Sequence, residues 1–214
     1  MTQLLLGIAP EWIPTLNNFV AGRNVELVSA LHLRLGGSCI FIWGEAGSGK
    51  SHLLQATIEC ARAAGQSAAY ACGAVPQAAQ VVAIDDVEQL DDAAQIDLFA
   101  LYNRMRESSA MLLVSGTQAP AFLPLRDDLR TRLGWGLVYQ VHALNDAEKT
   151  EALRQHALAR GFDLPPEVTT YLLRHGRRDL PVLLQILNAL DEHCLRLKRA
   201  ASVPLLKEVM AVSD

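Results

Sequence analysis

Gly44-Glu45-Ala46-Gly47-Ser48-Gly49-Lys50-Ser51 constrains the fold of this chain more than any other stretch. It satisfies G-x-x-x-x-G-K-[ST] in full, and the apolar run Ser38–Trp43 just before it reads as a buried strand. From Lys50 to Ala64 apolar residues return at helical spacing (Leu53, Leu54, Thr57, Ile58, Ala61), and Gly65 supplies the stop. Strand, glycine loop and helix in that order make a phosphate cradle. Its glycines let the backbone curl so that N–H groups point inward, and the helix N-terminus near Gly49 adds its dipole. Lys50 then places a point charge on the β- and γ-phosphates, and the Ser51 hydroxyl coordinates Mg²⁺. Lys50 is also the only lysine before Lys149.

The rest of the chain supplies the frame for such a loop. Further strands are predicted at Ser67–Cys72, Val81–Asp85, Met111–Ser115 and Leu137–His142, with a helix over Asp92–Ser108. Strands alternating with helices predict a three-layer α/β domain, a five-stranded parallel sheet between helices. After residue 142 the rhythm changes to helices alone: Asp146–Arg160, Pro165–His175, Leu180–Lys198 and Ser202–Val212. The expected organisation is a tail over 1–9, a nucleotide-binding α/β domain over 10–141 and a small all-α lid domain over 142–214.

A phosphate loop needs a carboxylate to hold its metal. Val81-Val82-Ala83-Ile84 runs into Asp85 and Asp86 at the end of a strand. Asp85 is expected to hold Mg²⁺ through water, and Asp86 to orient or deprotonate the attacking water. Glu88, Asp91 and Asp92 read as a solvated loop and a helix N-cap rather than as ligands.

Composition excludes other classes. Half of the 214 residues are apolar, yet the densest runs, Cys39–Trp43 and Val81–Ile84, fall far short of the roughly 20 residues of a spanning helix. No basic region precedes an apolar stretch at the start of the chain, so neither a membrane span nor a secretory signal is expected. Net charge is −4; residues 1–141 hold 9 basic and 13 acidic side chains, residues 142–214 hold 10 of each. Neither part carries the basic surplus that binding to a nucleic-acid backbone asks for. Cys39, Cys60, Cys72 and Cys194 show no paired spacing and read as reduced thiols, and the six histidines lack ligand spacing. A cytoplasmic protein fits these features.

Several stretches together resemble one family, the DnaA branch of the AAA+ ATPases. Leu16-Asn17-Asn18-Phe19-Val20-Ala21-Gly22-Arg23-Asn24 is similar to its F-x-x-F-V-x-G-x-x-N segment, and Arg130-Thr131-Arg132-Leu133-Gly134-Trp135-Gly136 to its S-R-F-G-W-G box. With the phosphate loop, the strand-end aspartates and the helical lid, the likeness runs from about residue 14 to the end. It implies a P-loop AAA+ domain with a lid, binding ADP or ATP with Mg²⁺. Phe19 and Val20 would line the adenine pocket; Gly44, Ala46, Gly47, Ser48, Gly49, Lys50, Ser51 and His52 would hold the phosphates. Arg132 looks like an arginine finger, which acts on the nucleotide of a neighbouring subunit; an ion pair with Asp127 or Asp128 is the competing reading.

Gln3-Leu4-Leu5-Leu6 resembles the Q-L-x-L-[FP] peptide by which short regulatory members of that branch attach to the DNA polymerase III sliding clamp (its beta subunit). Gln3, Leu4 and Leu6 would be the anchors, although Gly7-Ile8 stands where the pattern has Phe or Pro-Leu. Other departures matter. Thr117 occupies the place of the Asp sensor, and Pro181 that of the lid's sensor arginine, with Arg177 and Arg178 nearby; proline cannot touch a phosphate. The chain's own hydrolysis is therefore expected to be weak. Only Gly73–Gln80 separates the second and third strands, where the initiator has helices that line a DNA path, and no helix-turn-helix segment follows the lid. Direct sequence-specific DNA binding is not expected.

Taken together, the resemblance implies a negative regulator of replication initiation. It would bind DnaA and the clamp, stimulate hydrolysis of DnaA-bound ATP through Arg132, possess some capacity for self-association, and join the nucleoid through the clamp. Two alternatives stay open at this point: a self-sufficient AAA+ ATPase that remodels or loads a partner protein, and a non-catalytic DnaA-binding adaptor.

Overall fold

The computed structural model describes residues 14–33, 38–108, 110–176 and 179–213. Five short strands form one all-parallel sheet: β1 (Cys39–Trp43), β2 (Ala68–Cys72), β3 (Val81–Asp85), β4 (Met111–Gly116) and β5 (Leu137–Gln140), in the order β2-β3-β4-β1-β5. Parallel neighbours need crossover connections, and α2 (Lys50–Ala63) and α3 (Asp92–Glu107) supply them on opposite faces. Each face therefore has its own core. Ile40, Ile42, Ala83 and Leu113 point to the α2 side with Leu53, Leu54 and Ile58. Phe41, Val82, Ile84 and Val114 point to the α3 side with Leu98, Leu101 and Met105. Alternate residues of a strand thus serve opposite layers, which is why the central strands β3 and β4 are apolar almost throughout and fully buried.

Two helices lie outside the predicted set. The first, α1 (Val25–Leu33), adds Leu27 and Leu31 to the α2-side core. The other, α4 (Asp127–Leu133), is only seven residues long and buries Leu129 and Leu133 against the α3 side. Two apolar positions in so short a segment give too little periodicity to stand out from a loop.

The C-terminal helices α5 (Asp146–Ala159), α6 (Pro166–His175), α7 (Leu180–Leu197) and α8 (Val203–Ser213) pack around a third core, with Leu153, Val168, Leu172, Leu183, Leu187, Leu190 and Leu206 at its centre. Asn145 opens α5 with a full capping box: its side chain accepts from Glu148 N at 2.9 Å, and Glu148 Oε2 accepts from Asn145 N at 2.8 Å. Among the described residues no helix is long and apolar enough to cross a membrane.

Gly136 fixes how α4 joins the edge strand β5. A Cβ there would stand 2.1 Å from the backbone oxygen of Cys39, at the start of β1. Gly136→Ala is expected to destabilise the fold by about 1–3 kcal/mol, the usual scale of overpacking. The neighbouring Gly134→Ala, whose Cβ would meet nothing closer than 3.5 Å, should change stability by less than about 0.5 kcal/mol. Urea melts of the two variants check the contrast.

Candidate nucleotide site and arginine face

The phosphate loop leaves β1 at Trp43 and enters α2 at Lys50. Gly44 N donates to Gly116 O at 3.3 Å, which joins the start of the loop to the end of β4. Two turns of the loop need glycine: Gly47 has φ +75° and Gly49 φ +99°, and a Cβ on Gly49 would stand 2.7 Å from Phe19 Cε2. Lys50 is buried, and its Nζ donates to Gly44 O at 2.8 Å and Glu45 O at 3.1 Å. The ammonium thus sits folded under the loop it would charge.

Three observations fit this cradle to a phosphate chain. The Ser48 Oγ is buried and has no hydrogen-bond partner among the described residues, a state that costs a hydroxyl about 1–3 kcal/mol. Gly49, at the N-cap of α2, offers no side chain to the first N–H groups of a 14-residue helix. Lys50 adds the positive charge. Anionic oxygens complement all three.

A cavity of about 460 Å³ opens over the loop and is closed from the far side by the C-terminal helices. Asn18, Phe19 and Val20 form one wall; His142, Leu144 and Lys149 another; Asp179, Leu180, Pro181, Leu184 and Gln185 at the start of α7 form the roof. Its size suits a nucleotide-sized ligand. Reciprocal bonds fix the Phe19 wall: Thr15 N donates to Asn18 Oδ1 at 2.9 Å, and Asn18 N to Thr15 Oγ1 at 3.1 Å. His52 pins this turn to α2 through a 3.0 Å bond between its Nε2 and Thr15 O, and its ring centroid lies 5.5 Å from that of Phe19. A carbonyl can only accept, so Nε2 carries the proton. Burial pushes the His52 imidazole below its usual value, against the opposing pull of the Thr15 carbonyl and Asp179.

Asn24, the last residue of the Phe19 motif, holds the sheet domain to the start of the lid. It is buried, its Nδ2 donates to His142 O at 2.9 Å, and its Oδ1 accepts from His142 N at 2.8 Å. A single amide thereby clamps the chain where it leaves the sheet for the lid, beside the cavity. His142, Leu144, Lys149, Asp179 and Gln185 were not picked out from sequence, since contacts across the cleft join residues more than a hundred positions apart and leave no local pattern.

The two aspartates stand at the end of β3, two strands from the β1 end that opens into the loop. Asp85 is buried; its Oδ2 accepts from Tyr70 Oη at 2.9 Å and its Oδ1 from the Ser115 hydroxyl. Ser115 Oγ in turn accepts from Asp86 N at 3.0 Å, so one hydroxyl orients both residues. Asp86 adopts the left-handed region at φ +50°, uncommon for a residue other than glycine. Partial burial, then the charges of Asp85 and Glu88, raise the Asp86 carboxyl above its ordinary value, and Lys50 pulls the other way. Lys50 and Asp86 therefore feel each other, although Asp85 and Asp86 do not line the cavity.

Thr117 is exposed just past β4, and its N donates to Glu88 Oε1 at 3.1 Å. Glu88 is thus tied to the Thr117 backbone rather than solvated, while Asp91 caps α3 by accepting from Ala94 N at 2.8 Å. Ser51 is exposed on the first turn of α2, at the cavity. Pro181 lies in the first turn of α7 and faces the cavity, where it brings no charge. Gln3, Leu4, Leu6, Gly7 and Ile8, as well as Arg177 and Arg178, lie outside the described residues.

Arg132 occupies the last turn of α4, away from the residues that line the cavity. The expected competitors for its charge are engaged elsewhere: Asp127 pairs with Arg130 at 2.6 Å and Asp128 with Arg126 at 3.1 Å. Arg132 instead lies over aromatic rings, its Cζ 4.3 Å from the Trp135 centroid and 5.7 Å from that of Phe99. Among the described residues no carboxylate forms an ion pair with it.

Residues 146–210 match the family described as Hda, lid domain. The C-terminal segment is similar to the Hda lid. Solved structures match over nearly the whole chain. Domain III of the Thermotoga maritima replication initiation protein DnaA is 19% identical with a TM-score of 0.73, covering 94% of this chain and 97% of that one. AMPPCP-bound DnaA from Aquifex aeolicus is 22% identical with a TM-score of 0.71, covering 83% of this chain and 65% of that one. The Thermotoga maritima Holliday junction branch migration motor RuvB is 16% identical with a TM-score of 0.65, covering 93% and 72%. The chain has the fold shared by these DnaA and RuvB domains, with a C-terminal segment similar to the Hda lid.

Proposed function

We propose that this protein is a negative regulator of replication initiation that switches off ATP-bound DnaA. An adenine nucleotide would lie between the phosphate loop and the Hda-type lid. Phe19 and Val20 would flank its base; Gly44 and Ala46 to His52 would hold its phosphates, with Ser51 and Asp85 on Mg²⁺. That nucleotide would supply the bridge that sets the lid against the sheet. ADP serves as well as ATP in this role, because Pro181 brings no charge to a γ-phosphate and Thr117 is a weak polar group at the sensor position. Asp86 has the placement of a water-orienting base, but the chain's own turnover would be slow.

The observation that carries the reading is the state of Arg132. Arg132 is half-buried, its guanidinium is uncompensated by any carboxylate ion pair among the described residues, and it stands off the chain's own cavity. Such a group suits the nucleotide of a neighbouring AAA+ subunit, here DnaA, where positive charge offsets charge that develops on the transferring phosphoryl group. Gln3, Leu4 and Leu6 would recruit the protein to the sliding clamp as a short anchored peptide. A second copy of this chain competing for the same arginine would account for self-association.

The recruitment step is tested with DnaA-bound ATP, clamp loaded on DNA and the full chain. Hydrolysis should accelerate only when clamp and chain are both present. Gln3→Ala with Leu4→Ala should lower the rate at least about tenfold at limiting protein, a loss of roughly 1.4 kcal/mol of binding, and excess protein should restore it. Equal stimulation by wild type and double variant at every concentration contradicts a clamp-tethered mode of action.

A further inference from the structure

Arg132 is oriented by aromatic rings rather than by a carboxylate. A long side chain on an exposed surface samples many rotamers, and fixing it costs entropy. A carboxylate would fix it too, at the expense of the charge that makes it useful; an aromatic face orients a guanidinium and leaves its charge available.

The backbone around Trp135 is built to deliver its ring to that position. Gly134 N donates to Arg130 O at 3.1 Å and Trp135 N to Arg132 O at 3.1 Å, which closes the end of α4 and folds the indole back along the helix. Immediately after, Gly136 passes where any Cβ would collide with Cys39 O. Phe99, half-buried on α3, backs the guanidinium from the core side. Trp135 itself is 60% exposed and contributes little to the core, so its indole is spent on the arginine.

We propose that Trp135, with Phe99 behind it, is the positioning residue for Arg132, holding the guanidinium ready for a phosphate on a partner AAA+ protein. This rests on the reading of Arg132 as a finger. The indole does not touch the partner's nucleotide; it narrows the arginine's orientations before the encounter.

The test is the stimulated hydrolysis of DnaA-bound ATP, titrated with each variant to saturation and compared for plateau rate and half-saturating concentration. Trp135→Phe keeps a π face and should hold the plateau within about twofold. Trp135→Leu keeps apolar bulk without that face and should lower the plateau about tenfold, the scale of a misplaced catalytic group, with half-saturation unchanged. Phe99→Leu should fall between them. A raised half-saturating concentration at an unchanged plateau makes Trp135 a docking contact and overturns the proposal, as does a Leu variant equal to the Phe variant. Arg132→Ala run in parallel separates the layers. Should it stimulate like wild type, the finger reading and this one fall together. Should it be inactive while Trp135→Leu is fully active, only the positioning role falls.

Discussion

Lys50→Ala is expected to abolish nucleotide binding, with affinity falling at least about a hundredfold, some 2.7 kcal/mol. The loss has two sources in the structure. The variant removes the only cation of the phosphate loop, and it strips Gly44 O and Glu45 O of their 2.8 and 3.1 Å donor, which loosens the cradle itself. Isothermal titration with ADP and Mg²⁺ measures the first effect. Thermal melts measure both: ADP at a hundred times its Kd should stabilise the wild type by about 2.7 kcal/mol and leave the variant unmoved. Wild-type affinity in Lys50→Ala contradicts the assignment of this loop as the phosphate site.

The fold was readable because its strongest signals are local. The loop Gly44–Ser51 dictates strand, turn and helix within a single stretch, and the apolar runs of β3 and β4 declare themselves as buried on both faces. The lid helices carried periodicity long enough to predict all four. What escaped was short or relational. Helix α4, which bears Arg132, offers two buried positions in seven residues. The Asn24 clamp on His142 and the α7 roof over the loop depend on distant segments meeting.

The candidate site divides in the same way. Lys50, Ser48 and Phe19 line one cavity; the loop spacing places the first two together, and Phe19 joins them through the resemblance alone. The rim carboxylates stand apart from that cavity, oriented by Tyr70 and Ser115, neither of which any motif points to. For Arg132 the sequence left an ion pair with Asp127 or Asp128 open. The helix resolves it by spending Asp127 on Arg130 and Asp128 on Arg126, while the Arg132 guanidinium lies over the Trp135 ring.

That arginine carries the largest expected effect. Fingers of this type are worth about 10³–10⁵ in rate, since a fixed cation in a water-poor interface stabilises the transition state far more than the ground state. The decisive measurement is the rate of hydrolysis of DnaA-bound ATP with clamp on DNA and saturating amounts of this protein, wild type against Arg132→Ala. Nucleotide binding and melting temperature serve as controls, because Arg132 lies off the cavity and forms no ion pair among the described residues. A fall of at least about a hundredfold toward the unstimulated DnaA rate, with both controls unchanged, is the expected result. Full stimulation by Arg132→Ala would contradict the claim that this protein completes the active site of its partner.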